Sequence, residues 1–202
     1  MRVHRFVCFV LAALFACFSG LSAQTDVRDK DHQPDKVMDI AGLREGMVIG
    51  EVGAGEGYFT FKLAVRVGPT GKVYANDIDA RALRRLADRA RREGFSNIET
   101  IVGEVENPLL PAALDMVFMV NVFHDLTQPA ELLRNIVPSL KPGATLVILD
   151  RDPARFTGGN KHNLPTKTIL DLIKDAGFEL VRMDTSFRIH NLYIIRPLPR
   201  KP

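Results

Sequence analysis

From about residue 47 the hydrophobic and polar positions follow two alternating rhythms. Met47–Val52, Lys72–Ala75, Ile98–Val102, Leu114–Val120 and Ala144–Leu149 are short apolar runs, each bounded by turn residues, and read as buried strands. Between them lie stretches with apolar residues three and four apart. Tyr58–Val67 carries Phe59, Leu63 and Val67; the next stretch carries Leu83, Leu86, Ala87 and Ala90 between a capping Asp79 and a closing Gly94. Pro129 opens a further predicted helix through about Leu140, with Pro138 in its last turn, and Thr166–Ala176 forms another, stopped by Gly177. The last two strands, Phe178–Met183 and Asn191–Arg196, have no helix between them. This alternation predicts an α/β fold: a mostly parallel sheet with helices on both faces and one antiparallel strand at the end.

The first residues break the rhythm. Met1–Arg5 is basic, Phe6–Phe18 is an apolar run of 13 residues, and Ser19–Ala23 is nearly all small. Thirteen residues fall short of the roughly 20 that span a bilayer as a helix, and the order basic, apolar, small is that of a secretory signal peptide. Residues 1–23 are thus expected to direct export, with cleavage after Ala23. The alternatives are an uncleaved anchor and lipid attachment at Cys17. Residues 24–33 read as a flexible lead-in and residues 34–202 as a single domain.

This segment changes how charge and cysteine are read. The chain of 202 residues has 27 basic and 24 acidic side chains, but Arg2 and Arg5 lie in the signal, leaving 25 basic against 24 acidic. No overall field draws a polyanion, and Arg81, Arg84, Arg85, Arg89, Arg91 and Arg92 read as a solvated helix face rather than a nucleic-acid patch. Both cysteines, Cys8 and Cys17, precede the domain, which excludes a disulfide framework and a cysteine-bound metal there; no spacing of other ligands predicts a metal site.

In parallel sheets ligands bind beyond the carboxyl ends of the strands. The first strand runs into Glu51-Val-Gly-Ala-Gly-Glu-Gly-Tyr-Phe59, with glycine at 53, 55 and 57. Such a turn lets a ligand approach the backbone with no Cβ in the way. The dinucleotide fingerprint needs glycine at 58, where Tyr58 stands, and the neighbouring Glu51 and Glu56 oppose a pyrophosphate while suiting a cationic amine. The second strand ends at Asp77, 20 residues past Gly57, where a carboxylate can accept both hydroxyls of a ribose.

With these features the sequence resembles the class I S-adenosylmethionine-dependent methyltransferases. Further motifs in order are Val102-Gly-Glu104, LDMVFMVNVFHDL over 114–126, LKPGATLVILD over 140–150 and DAGFELV over 175–181. The resemblance covers about Pro34 to Arg196 and is greatest to the small-molecule branch. It implies a three-layer Rossmann-like sandwich around a seven-stranded sheet, with S-adenosyl-L-methionine as cofactor and a small-molecule methyl acceptor. It further implies that Glu51, Gly53, Ala54, Gly55 and Gly57 line the methionine part of the cofactor, Asp77 takes the ribose hydroxyls and Ile78 packs on the adenine. Glu104 stands by the adenine amine, where the family usually has Asp, and Asn121 stands where cofactor and acceptor meet. Should the acceptor have to lose a proton, the candidate bases are His124, beside Asp125, and His162, in the loop 151–165. His4, His32 and His190 read as incidental. A nicotinamide-dependent oxidoreductase and a non-catalytic exported binding module are the competing readings.

Overall fold

A computed structural model describes residues 28–156 and 163–199. Seven strands form one sheet: β1 Val48–Val52, β2 Lys72–Asp77, β3 Ile98–Val102, β4 Leu114–Val120, β5 Leu140–Arg151, β6 Phe178–Asp184 and β7 His190–Pro197. Their order is β3-β2-β1-β4-β5-β7-β6. All pairings are parallel except those of β7, which runs antiparallel to both β5 and β6. The expected three-layer α/β sandwich, with its reversed last strand, is the fold observed.

The helices are α1 Asp29–His32, α2 Pro34–Ala41, α3 Thr60–Val67, α4 Ala80–Glu93, α5 Pro129–Ile136 and α6 Thr166–Asp175. Side chains alternate between the faces of the central strands, so each strand feeds two cores. In β5, Leu146 and Ile148 pack with Leu133, Ile136, Ile169 and Ile173 of α5 and α6, whereas Val147 and Leu149 pack with Val37, Met38 and Leu63 of α2 and α3. A third cluster seats α4 on β2 through Ala75, Leu83, Leu86 and Ala90. The caps of α4 are those expected: the Asp79 side chain accepts from the amides of Arg81 and Ala82, and Gly94 ends the helix at φ 78°.

Three expectations are corrected. The stretch after α5 is a 3-10 turn, Val137–Ser139, and not the end of a helix running to Leu140. Strand β5 begins at Leu140 rather than Ala144, and Lys141–Ala144 form a bulge against β4, whose Leu114 pairs with Leu140 and whose Met116 pairs with Thr145. Most consequential for the site, the end of the supposed flexible lead-in is ordered. Residues 29–32 form α1, tied down by Tyr58 Oη and Lys62 Nζ, which donate to Asp29 at 2.9 and 3.0 Å, and by Arg188 Nε, which donates to Asp31 at 2.9 Å. Residues 1–27, with the expected signal, lie outside the described residues.

Candidate active site

Strand order reverses at β1, whose neighbours β2 and β4 lead to opposite halves of the sheet, and a cavity of about 1020 Å³ opens at this switch point. The glycine turn forms one wall. Gly53, Gly55 and Gly57 all have positive φ, at 78°, 54° and 90°. The three glycines serve different ends. A Cβ on Gly53 would lie 2.5 Å from Val122, and one on Gly57 would lie 2.8 Å from Phe61, so both are needed for packing. A Cβ on Gly55 would meet nothing within 4 Å. Gly55 therefore presents bare backbone to the cavity it lines.

The turn is anchored to the end of β2. The amides of Gly53 and Ala54 both donate to the Asn76 carbonyl at 2.9 Å. The Gly55 amide donates to Asp77 Oδ2 at 2.8 Å, and the Asp79 amide to Asp77 Oδ1 at 2.9 Å. Each carboxylate oxygen keeps a further lone pair, so Asp77 is oriented without being saturated. Beyond it stands an apolar shelf: Ile78 is 61% exposed, and Val102, which pairs with Asp77 in the β2–β3 register, is 52% exposed. Glu104 is exposed two residues past Val102. Asp77, Ile78 and Glu104 thus border the cavity at its Gly55 edge rather than lining it.

Glu51 lies beneath the turn, 2% exposed, and its Oε2 accepts from Thr60 Oγ1 at 2.5 Å. Burial pushes its carboxyl up to about 7, with the nearby Asp77 charge adding to the rise. A carboxyl so placed is ready to ionise against an incoming cation. Also lining the cavity, Asn121 ends β4 in the left-handed region at φ 56°, and its buried Oδ1 has no hydrogen-bond partner among the described residues. A buried amide oxygen without a donor marks a place where a ligand's polar group belongs.

His124 has a different setting. Its ring is buried in the turn Phe123–Asp125, and it is not part of the cavity lining. The Nδ1 atom bonds Asp150 Oδ1 at 2.7 Å, and the backbone amide donates to Asp150 Oδ2 at 3.0 Å. Nε2 lies 3.4 Å from Asp125. The pair clamps the end of β4 to the end of β5, and the Asp150 hydrogen bond holds the His124 pKa above its usual value despite burial. His162 lies outside the described residues.

One part of the cavity lining has no signal in the sequence. It consists of Asp31 and His32 from α1, Arg151 at the end of β5, Phe156, Ile189 and His190. His32 and His190, read as incidental, are buried with ring centroids 4.7 Å apart and planes tilted by 39°. No periodicity marks them; only the pairing of β7 with β5 and the docking of α1 bring them to the site. Among the described residues no group of side chains forms a metal site.

An α/β sheet with this strand order, a glycine turn after β1 and an acid closing β2 defines the methyltransferase class of nucleoside-binding folds. The methyltransferase domain family matches residues 43–185, and the chain belongs to that family. It is 31% identical over 115 residues to the ubiquinone/menaquinone biosynthesis C-methyltransferase UbiE of Pseudomonas savastanoi, an alignment covering 56% of this chain and 45% of that protein. The chain thus spans about half the length of the curated relatives it matches. Among solved structures, a SAM-dependent methyltransferase from Aquifex aeolicus is similar at a TM-score of 0.79 with 27% identity, covering 86% of this chain and 94% of that one. The cyclase SpnF shares the fold at a TM-score of 0.70 with 16% identity, covering 82% of this chain and 80% of its own. The family's cofactor is S-adenosyl-L-methionine, and the bare backbone at Gly55, the ionisable Glu51, the braced Asp77 and the unpartnered Asn121 oxygen fit it.

Proposed function

We propose that this protein transfers a methyl group from S-adenosyl-L-methionine to a small-molecule acceptor. The observation that carries the reading is the braced carboxylate of Asp77 beside the open face of Gly55, at the switch point of the sheet. When bound, the cofactor supplies a methyl group on a sulfonium. Asp77 would accept its ribose hydroxyls, Ile78 and Val102 would cover its adenine, with Glu104 by the exocyclic amine. Glu51 would balance its cationic methionine end, and Asn121 would receive a hydrogen bond at the boundary with the acceptor.

Methyl transfer is an in-line displacement, so the chain's main work is to align the two reactants and exclude water. The residues from α1 to Phe156 that line the cavity support that role by narrowing it beside the glycine turn. His124 acts through position: its clamp on Asp150 holds the β4 and β5 ends that carry Asn121 and Arg151. His162 is the base we assign for an acceptor that must lose a proton. The segment 1–23 directs the protein out of the cytosol, and amino-terminal sequencing of native protein should begin near Gln24. The test of the activity is a metabolite-extract screen with S-adenosylmethionine, in which formation of S-adenosylhomocysteine identifies turnover and its absence across extracts contradicts it.

A further inference from the structure

Arg151 and His190 stand directly opposite one another where β5 pairs with β7. Facing residues of an antiparallel pair project to the same side, and both line the cavity. The Arg151 guanidinium lies 4.7 Å from the Phe156 ring centroid and makes no hydrogen bond or ion pair with any described residue. It is only partly exposed, so its charge is incompletely served by water.

The carboxylates that line the same cavity, and the preceding Asp150, are engaged elsewhere. Asp31 binds Arg188, Glu56 binds Arg85 at 2.8 Å, Asp88 binds Arg91 at 2.5 Å, and Asp150 binds His124 at 2.7 Å. Glu51 is held by Thr60 at 2.5 Å. A guanidinium resting against an aromatic ring, with no described residue on its donors, is arranged to receive a planar carboxylate through two parallel hydrogen bonds.

His190 adds a second requirement. Its Nδ1 lies 3.2 Å from the Asp31 carbonyl, which can only accept, so that nitrogen carries the proton. Nε2 is then a lone pair, buried and without a donor among the described residues. His32 repeats the arrangement, its Nδ1 donating to the Arg28 carbonyl at 3.0 Å. Burial and the neighbouring His32 and Arg151 hold His190 down at about 4, so the lone pair persists at neutral pH.

Resting on the methyltransferase reading, we propose that the acceptor is an organic acid whose carboxylate is held by Arg151 and whose neighbouring O–H or N–H donates to His190 Nε2. A cation paired with a lone pair selects an anion paired with a donor; neutral acceptors and polycations leave one of the two unsatisfied.

The test uses the purified full chain saturated with S-adenosylhomocysteine and three probes: 3-hydroxybenzoate, benzoate and 3-hydroxybenzamide. By calorimetry 3-hydroxybenzoate should bind wild type at least tenfold tighter than the amide, with benzoate between. Arg151→Gln should lose at least tenfold for both acids with the amide unchanged, and Arg151→Lys should retain part of the acid affinity. His190→Phe should bring 3-hydroxybenzoate down to the benzoate value. Failure of 3-hydroxybenzoate to bind wild type at 20 mM, or equal binding to Arg151→Gln, overturns the proposal. S-adenosylhomocysteine affinity, measured in each variant, separates this outcome from failure of the cofactor site itself.

Discussion

The amide of Gly55 donates to Asp77 Oδ2 at 2.8 Å, joining the centre of the glycine turn to the acid that closes the neighbouring strand. Each fixes the other: the turn aims the carboxylate, and the carboxylate holds the turn in its positive-φ path. Two features 22 residues apart in sequence thus behave as one device.

Removing the acid should therefore act on binding first. Asp77→Ala loses both the acceptors proposed for the ribose and the brace on Gly55. Losing a charge-assisted pair of hydrogen bonds costs about 1.5–3 kcal/mol, or roughly ten- to a hundredfold in affinity. Calorimetric titration with S-adenosylhomocysteine checks this, beside a circular dichroism spectrum that should match wild type. Asp77→Asn should fall between the two, because it keeps one acceptor.

Glu51 makes both stability and binding depend on pH. Its folded-state pKa, about 7, is raised above the unfolded value, so the folded state holds the proton more tightly. Its contribution to stability is full below about pH 4.5 and declines as pH rises to 7, by on the order of 3 kcal/mol. A cationic ligand prefers the ionised form, so S-adenosylmethionine affinity should rise through pH 7 and level off above it. Glu51→Gln should flatten both profiles in denaturant titrations and in calorimetry.

The His124–Asp150 clamp should matter to the scaffold. Asp150→Ala leaves a buried imidazole without its partner and should cost on the order of 3 kcal/mol, about 10 °C in Tm. The Asp150 bond raises the His124 pKa, so the stability it adds is fully present below the ordinary histidine value of 6.5 and is lost as pH rises through the raised one. In Asp150→Asn that portion of the pH dependence should vanish.

How much of this was legible beforehand depended on whether the signal was local. The α4 caps, Asp79 and Gly94, lie next to the helix they close and were read correctly. The meeting of the glycine turn with Asp77 was legible because both sit at the carboxyl ends of strands that pair side by side. Helix α1 was not: four residues carry no periodicity, and it is held by Tyr58, Lys62 and Arg188 from distant positions. Arg151 and His190 were invisible as a pair, because only the antiparallel register of β7 on β5 sets them opposite one another. The start of β5 at Leu140 is hidden because Pro142 and Gly143 break the strand pattern, and they are tolerated because the strand bulges there against β4.

The most direct measurement of the central claim compares two glycine variants by S-adenosylhomocysteine titration. Gly55→Val puts a branched side chain into open space at φ 54°, where its Cβ meets no atom of the described residues within 4 Å but occupies the proposed path of the ligand. The backbone strain costs about 1–3 kcal/mol, so the fold should survive while binding is abolished. Ala144→Gly, a change in β5 away from the cavity, should leave binding unaltered. A folded Gly55→Val protein that binds S-adenosylhomocysteine as wild type does would show that the turn is structural and contradict the account.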